Sequence, residues 1–202
     1  MGQTFIFTTD SMQVAIIDYG AGNVHSVQNA FLRLGVKTTV TADRETILAA
    51  DKVIFPGVGH ARSAMDRLHQ LNLTTVIRDL QQPVLGICLG MQLMCAFSEE
   101  GGVEGLNIFD ANVIRFPDNM KVPHVGWNTV QALDNSYSNY DNGHFYFVHS
   151  YYVPVNGYTI LQGDYGLPFS AAMRKNNFTA MQFHPEKSGE AGERLLQQFL
   201  SK

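Results

Sequence analysis

The stretch that decides the fold is Pro83-Val-Leu-Gly-Ile-Cys-Leu-Gly90. An apolar run of strand type ends in a cysteine that has a glycine two positions away on each side. This is the cysteine version of a nucleophile elbow, a sharp strand-to-helix turn that lifts one reactive atom above a sheet. Glycines suit both flanks because a side chain there would crowd the turn. A helix is expected from about Leu89 to Phe97, with its N-terminus toward Cys88. Its dipole would favour a thiolate, and the backbone N–H of Leu89 would be free to stabilise an oxyanion. A lone cysteine is more often a small buried hydrophobe. That plainer reading fits Cys95, which has no such setting, better than it fits Cys88.

Working outward, apolar runs alternate with amphipathic ones through the first half. Gln13–Ile17, Thr38–Thr41 and Lys52–Phe55 read as strands, the last ended by Pro56-Gly-Val-Gly59. Asn23–Leu34, His60–Leu71 and Thr74–Gln81 carry apolar residues at helical spacing. Strands alternating with helices imply a parallel sheet covered on both faces. In the second half, residues 108–116, 125–131, 144–154, 158–164, 169–175 and 179–183 are strand-like, and Glu190–Ser201 closes as an amphipathic helix. The expected fold class is α/β: an open, mainly parallel central sheet with flanking helices and antiparallel additions. Residues 12–202 are expected to form one domain, and residues 1–11 an extension ahead of the first strand.

A net charge of −4 without clustered Lys and Arg argues against nucleic acid. No apolar run approaches the roughly 20 residues needed to cross a bilayer, so no membrane partner is expected. The start lacks the basic and apolar regions of a signal peptide. On one helix, Cys88 and Cys95 would lie about 10 Å apart, too far to bridge. A reducing cytoplasm is therefore the expected compartment. Neither cysteine nor histidine shows metal-ligand spacing, so no metal is expected.

A cysteine nucleophile needs a base. His184, in Gln182-Phe-His-Pro-Glu186, ends an apolar strand, and Pro185 stops further pairing. In extended chain, residues two apart project to the same side, so Glu186 can orient the imidazole and leave its other nitrogen to the thiol. The segment alone is weak evidence, since a solvated turn would look the same. Its pairing with the elbow is stronger, because catalytic side chains of open parallel sheets gather at the strands' carboxyl ends. The order nucleophile, base, acid differs from that of the α/β-hydrolases.

These residues resemble the class I glutamine amidotransferases, and among them the glutaminase subunits that serve histidine biosynthesis. The matching segments are Asp18-Tyr-Gly-Ala-Gly-Asn-Val-His-Ser26, Phe55-Pro-Gly-Val-Gly59, Gly86-Ile-Cys-Leu-Gly-Met-Gln92, Pro123-His-Val-Gly-Trp-Asn128, Phe147-Val-His-Ser-Tyr151 and Gln182–Ser188. The resemblance implies that Cys88 forms a glutamyl thioester, with His184 as base and then acid, oriented by Glu186. It implies an oxyanion hole from Gly57, Val58 and Leu89, with the Pro56–Gly59 strand reorienting when a loaded partner binds. Gly59, Gln92, Glu100, His149, Ser150 and Tyr151 would hold the backbone of L-glutamine. Asn23, Trp127, Tyr146 and Lys187 would face a separate cyclase subunit, a (β/α)8 barrel that receives the ammonia in a heterodimer. No cofactor is implied. A glutaminase serving pyridoxal phosphate synthesis is disfavoured by His124-Val-Gly-Trp-Asn128, and a non-catalytic scaffold by the presence of both Cys88 and His184.

Overall fold

The computed structural model describes residues 12–20 and 23–201. The expected extension, residues 1–11, and Ala21-Gly22 of the first motif lie outside the described residues. In chain order the elements are β1 (Val14–Ile17), α1 (Val24–Arg33), β2 (Thr38–Thr41), α2 (Arg44–Ala49), β3 (Lys52–Gly57), α3 (Ala61–Gln70) and α4 (Leu73–Arg78). They continue with β4 (Val84–Cys88), α5 (Leu89–Leu93), β5 (Cys95–Ser98), β6 (Val103–Glu104), β7 (Phe109–Arg115), β8 (His124–Ala132), β9 (His144–His149) and β10 (Tyr151–Tyr152). The last are β11 (Thr159–Asp164), β12 (Pro168–Lys175), β13 (Phe178–Met181) and α6 (Gly189–Leu200), with 3-10 turns at Asn135–Tyr140 and Pro185–Lys187.

Nine strands form one sheet in the order β2-β1-β3-β4-β13-β12-β11-β8-β9. The strands from β2 to β13 pair in parallel, and those from β13 to β9 pair antiparallel. The antiparallel share equals the parallel one, more than "additions" to a parallel sheet. A small sheet, β10-β7-β5-β6, lies apart. Strands β1, β3, β4 and β13 are buried at every position, as central strands covered on both faces should be. Along β1 the side chains alternate between two cores. Ala15 and Ile17 join Met65, Leu68 and Ile77 of α3 and α4 on one face. Val14 and Ile16 join Phe31 of α1 and Leu196 and Phe199 of α6 on the other.

Several boundaries differ from expectation, each for a local reason. β3 runs on through Pro56 to Gly57, which pairs with Cys88. The helix expected over 89–97 stops at Leu93, and Cys95–Ser98 is strand β5, paired with β6 and β7. A short apolar run fits either state, and here the neighbouring strands decide it. The two cysteines therefore do not share a helix; both thiols are free. Cys95 is enclosed in the core, its thiol donates to Met91 O at 3.6 Å, and burial pushes its pKa up to about 12. Helix α4 starts at Leu73, behind Asn72 at φ 55°, and ends at Arg78. Helix α2, unexpected from the sequence, is capped by Asp43, whose carboxylate accepts from Thr46 N at 2.8 Å. Among the described residues no helix is long and apolar enough to cross a membrane.

Candidate active site

Cys88 ends β4 and begins the turn into α5, at φ 53° and ψ −109°. Few non-glycine residues adopt such a conformation, and it persists only where surrounding structure imposes it. The surroundings are tight. A Cβ at Gly90 would lie 1.9 Å from the Phe55 carbonyl oxygen, and one at Gly86 would lie 2.8 Å from Met94 Sδ. Gly57, opposite Cys88 on β3, has equally little room: a Cβ there would sit 2.4 Å from the Tyr19 hydroxyl. That hydroxyl donates to Pro56 O at 3.0 Å and pins the strand one residue before Gly57. Helix α5 is only five residues long, so its dipole is slight and the local N–H groups of its first turn matter more.

His184 follows β13, the parallel neighbour of β4. Its backbone N–H donates to Tyr146 O at 2.9 Å, and its carbonyl accepts from Ser188 Oγ at 2.6 Å. Pro185 opens a 3-10 turn rather than an extended segment. The turn brings His184 Nδ1 and Glu186 Oε1 to 2.8 Å, with the two side chains 5% and 2% exposed. Burial pulls the imidazolium down. The Cys88 and Glu186 side chains, each by hydrogen bond and by charge, outweigh it and push the His184 pKa up to about 10. Thiol, imidazole and carboxylate thus lie in sequence at the carboxyl ends of β4 and β13.

Cys88 and His184 open into a cleft of about 320 Å³. Its lining takes in every residue expected to hold glutamine: Gly59, Gln92, Glu100, His149, Ser150 and Tyr151. Val58 and Leu89 of the expected oxyanion hole line it too, as do Pro123 and Val148, which the motif reading did not single out. Glu100 accepts from Ala61 N at 2.8 Å, capping α3, whose own N-cap residue offers no side-chain bond. His149 has no ring nitrogen left for a ligand. Its Nδ1 donates to Tyr151 O at 2.8 Å and its Nε2 meets His124 Nδ1 at 2.9 Å. Burial draws the pKa values of His124 and His149 down, to about 4 and about 3, so both rings are neutral. Among the described residues no cluster of three or more His, Cys, Asp or Glu is placed to hold a metal ion.

Beside the cleft, the outward face of the β8–β9 pair is apolar and open. Trp127, 57% exposed, lies opposite Tyr146 with ring centroids 6.0 Å apart. Val125 and Val148 pair next to them and are also exposed. Lys187 lines the cleft mouth. Asn23 caps α1 and borders a small cavity shared with Val58, His184 and Glu186. Of the four residues expected at a partner interface, Lys187 thus lines the cleft, Asn23 borders the small cavity beside it, and Trp127 and Tyr146 lie on the β8–β9 face.

A cysteine at a strand-to-helix elbow thus stands beside a buried histidine–carboxylate pair at the adjacent strand end. Residues 15–202 match the family model described as glutamine amidotransferase class-I, and the chain belongs to that family. Its similarity to imidazole glycerol phosphate synthase subunit HisH of Bacteroides fragilis is 56% identity over 194 residues, 94% of this chain and 99% of that one. The same subunit of Bacteroides thetaiotaomicron is 54% identical over the same share of each chain. Within the family, the chain belongs with these HisH subunits. A crystal structure of a glutamine amidotransferase, 17% identical, superposes with a TM-score of 0.75 over 93% of this chain and 97% of that one. That likeness speaks for the fold alone.

Proposed function

We propose that this chain hydrolyses L-glutamine to glutamate and ammonia at Cys88, and passes the ammonia to a separate cyclase subunit of imidazole glycerol phosphate synthase. The observation that carries the reading is the meeting of Cys88 and His184 in one cleft, with Glu186 bonded to the imidazole, and the cleft is lined by every residue expected to hold glutamine. The thiol proton moves to His184, and the sulfur attacks the side-chain amide carbon. Backbone N–H groups of Leu89 and of the Gly57–Val58 segment receive the developing oxyanion. His184, now an imidazolium held by Glu186, protonates the departing ammonia and leaves a glutamyl thioester. Water, activated by the same imidazole, then releases glutamate.

The cyclase, a (β/α)8 barrel, docks on the Trp127–Tyr146 face with Asn23 and Lys187 at the rim. It uses the ammonia to form imidazole glycerol phosphate and an aminoimidazole carboxamide ribotide in histidine biosynthesis. Residues 12–202 act as one glutaminase domain, in a cytoplasm that keeps both thiols reduced. The test is a glutaminase assay with and without the cyclase and its nucleotide ligand. Hydrolysis by the isolated chain is expected to be very slow and to rise on adding the loaded partner. Cys88→Ala is expected to abolish hydrolysis while ammonia-dependent synthesis by the complex continues. Full activity of the isolated chain would contradict gating at Pro56–Gly59, and loss of both activities in the variant would make Cys88 structural.

A further inference from the structure

Gln182 begins the segment that carries His184, and nothing above requires its side chain. It is fully buried, and its backbone N–H extends the sheet to Ala171 O at 2.8 Å. The orientation of its amide is settled by Gln92. Gln92 Nε2 donates to two oxygens, Tyr151 O and Gln182 Oε1, each at 2.9 Å. With Oε1 turned to Gln92, the Nε2 of Gln182 faces Cys88 Sγ at 3.9 Å. The chain of bonds continues away from the sulfur. Tyr151 O also accepts from His149 Nδ1, which makes His149 Nε2 the acceptor for His124 Nδ1–H. Asn128 Nδ2 reaches His124 Nε2 at 3.4 Å. With both rings neutral, each donor is assigned by the acceptor beyond it, from Asn128 to Cys88.

Two contacts on the sulfur then favour opposite protonation states. The thiol donates to Val148 O at 3.7 Å, a bond that only the protonated form makes. An amide N–H aimed at the sulfur favours the thiolate. We infer that Gln182 is a further catalytic residue of this site: its buried amide, aimed by Gln92, donates to the Cys88 sulfur and holds it as thiolate, free of the Val148 carbonyl. The inference rests on the reading of Cys88 as nucleophile. The proton released on forming the thiolate goes to His184, and Gln182 stays neutral and gives up nothing.

The test is the pH dependence of Cys88 alkylation by iodoacetamide in the full chain, read by mass spectrometry on the peptide that contains Cys88. Gln182→Met, similar in length but without a donor, is expected to lower alkylation at neutral pH about tenfold, and to move its rise about one pH unit higher. Gln182→Glu, the same shape with a negative charge, is expected to fall further. Gln92→Leu, which leaves the Gln182 amide free to turn over, shifts the profile the same way by less. His184→Asn serves as the reference for the underlying reading. If it moves the profile while both folded Gln182 variants follow the wild type, the role of Gln182 is overturned and Cys88 keeps its own. If His184→Asn leaves the profile in place, the pairing of thiol and imidazole falls and takes this proposal with it. Should the Gln182 variants fail to fold, an unmoved profile in Gln92→Leu overturns the proposal instead.

Discussion

A histidine buried as deeply as His184 gives up its proton early unless nearby charge holds it. Here burial lowers the pKa, while Cys88 and Glu186 reverse the effect and raise it to about 10. The folded chain therefore binds this proton more tightly than the unfolded chain, whose imidazole titrates at about 6.5. The resulting stabilisation is fully present below about pH 6.5 and is lost as pH rises through about 10. The melting temperature of wild type minus that of His184→Asn should thus shrink from pH 6 to pH 10; a gap that widens would show that the proton is not held. Glutamine hydrolysis by the same variant should fall by several orders of magnitude. Cys88, His184 and Glu186 were legible in the sequence because their cues are local: glycines two positions from a cysteine, and a proline that halts a strand. Gln182 and the neutral His124–His149 pair were not. Their bonds join residues 94 and 25 positions apart, and no spacing rule connects them.

At the level of elements, the elbow works because two strand ends and a short helix meet without side chains between them. Gly90 is the strictest position, since its Cβ would meet backbone at 1.9 Å rather than a side chain able to move aside. Gly90→Ala is expected to cost roughly 2 kcal/mol or more, measured by urea unfolding. Gly86→Ala, opposed by the flexible end of Met94, should cost less. Equal losses would deny the close approach of β3 to α5. Strands β1, β3, β4 and β13 were readable because each is buried along its whole length, as a continuous apolar run announces. The segment after Leu93 was misread because Cys95–Ser98 fits a helix and a strand equally well until β6 and β7 are placed beside it. Helix α2 escaped notice because it buries a single residue, Ile47, which leaves no periodicity to see.

For the whole molecule, Val148 belongs both to the cleft lining and to the exposed β8–β9 face, so a partner seated on that face would stand beside the site. Trp127 is the largest side chain on that face and half-exposed with Tyr146 against it. Trp127→Ala is expected to weaken cyclase binding by about 2 kcal/mol, roughly thirtyfold in Kd. The slow hydrolysis of the isolated chain should stay unchanged. Unaltered affinity would place the interface elsewhere. The expectation of a partner at this face came only from family likeness, because a lone tryptophan in a strand pattern can face inward or outward; here Trp127 is exposed. Beneath residue, element and assembly lies the encounter of one thiol with one imidazole. The most direct measurement is trapping with diazo-oxo-norleucine, a glutamine-like electrophile, followed by mapping of the adduct. Stoichiometric label on Cys88 in the wild type and slow labelling in His184→Asn are the expected results. An inert Cys88, or labelling indifferent to His184, would contradict the mechanism.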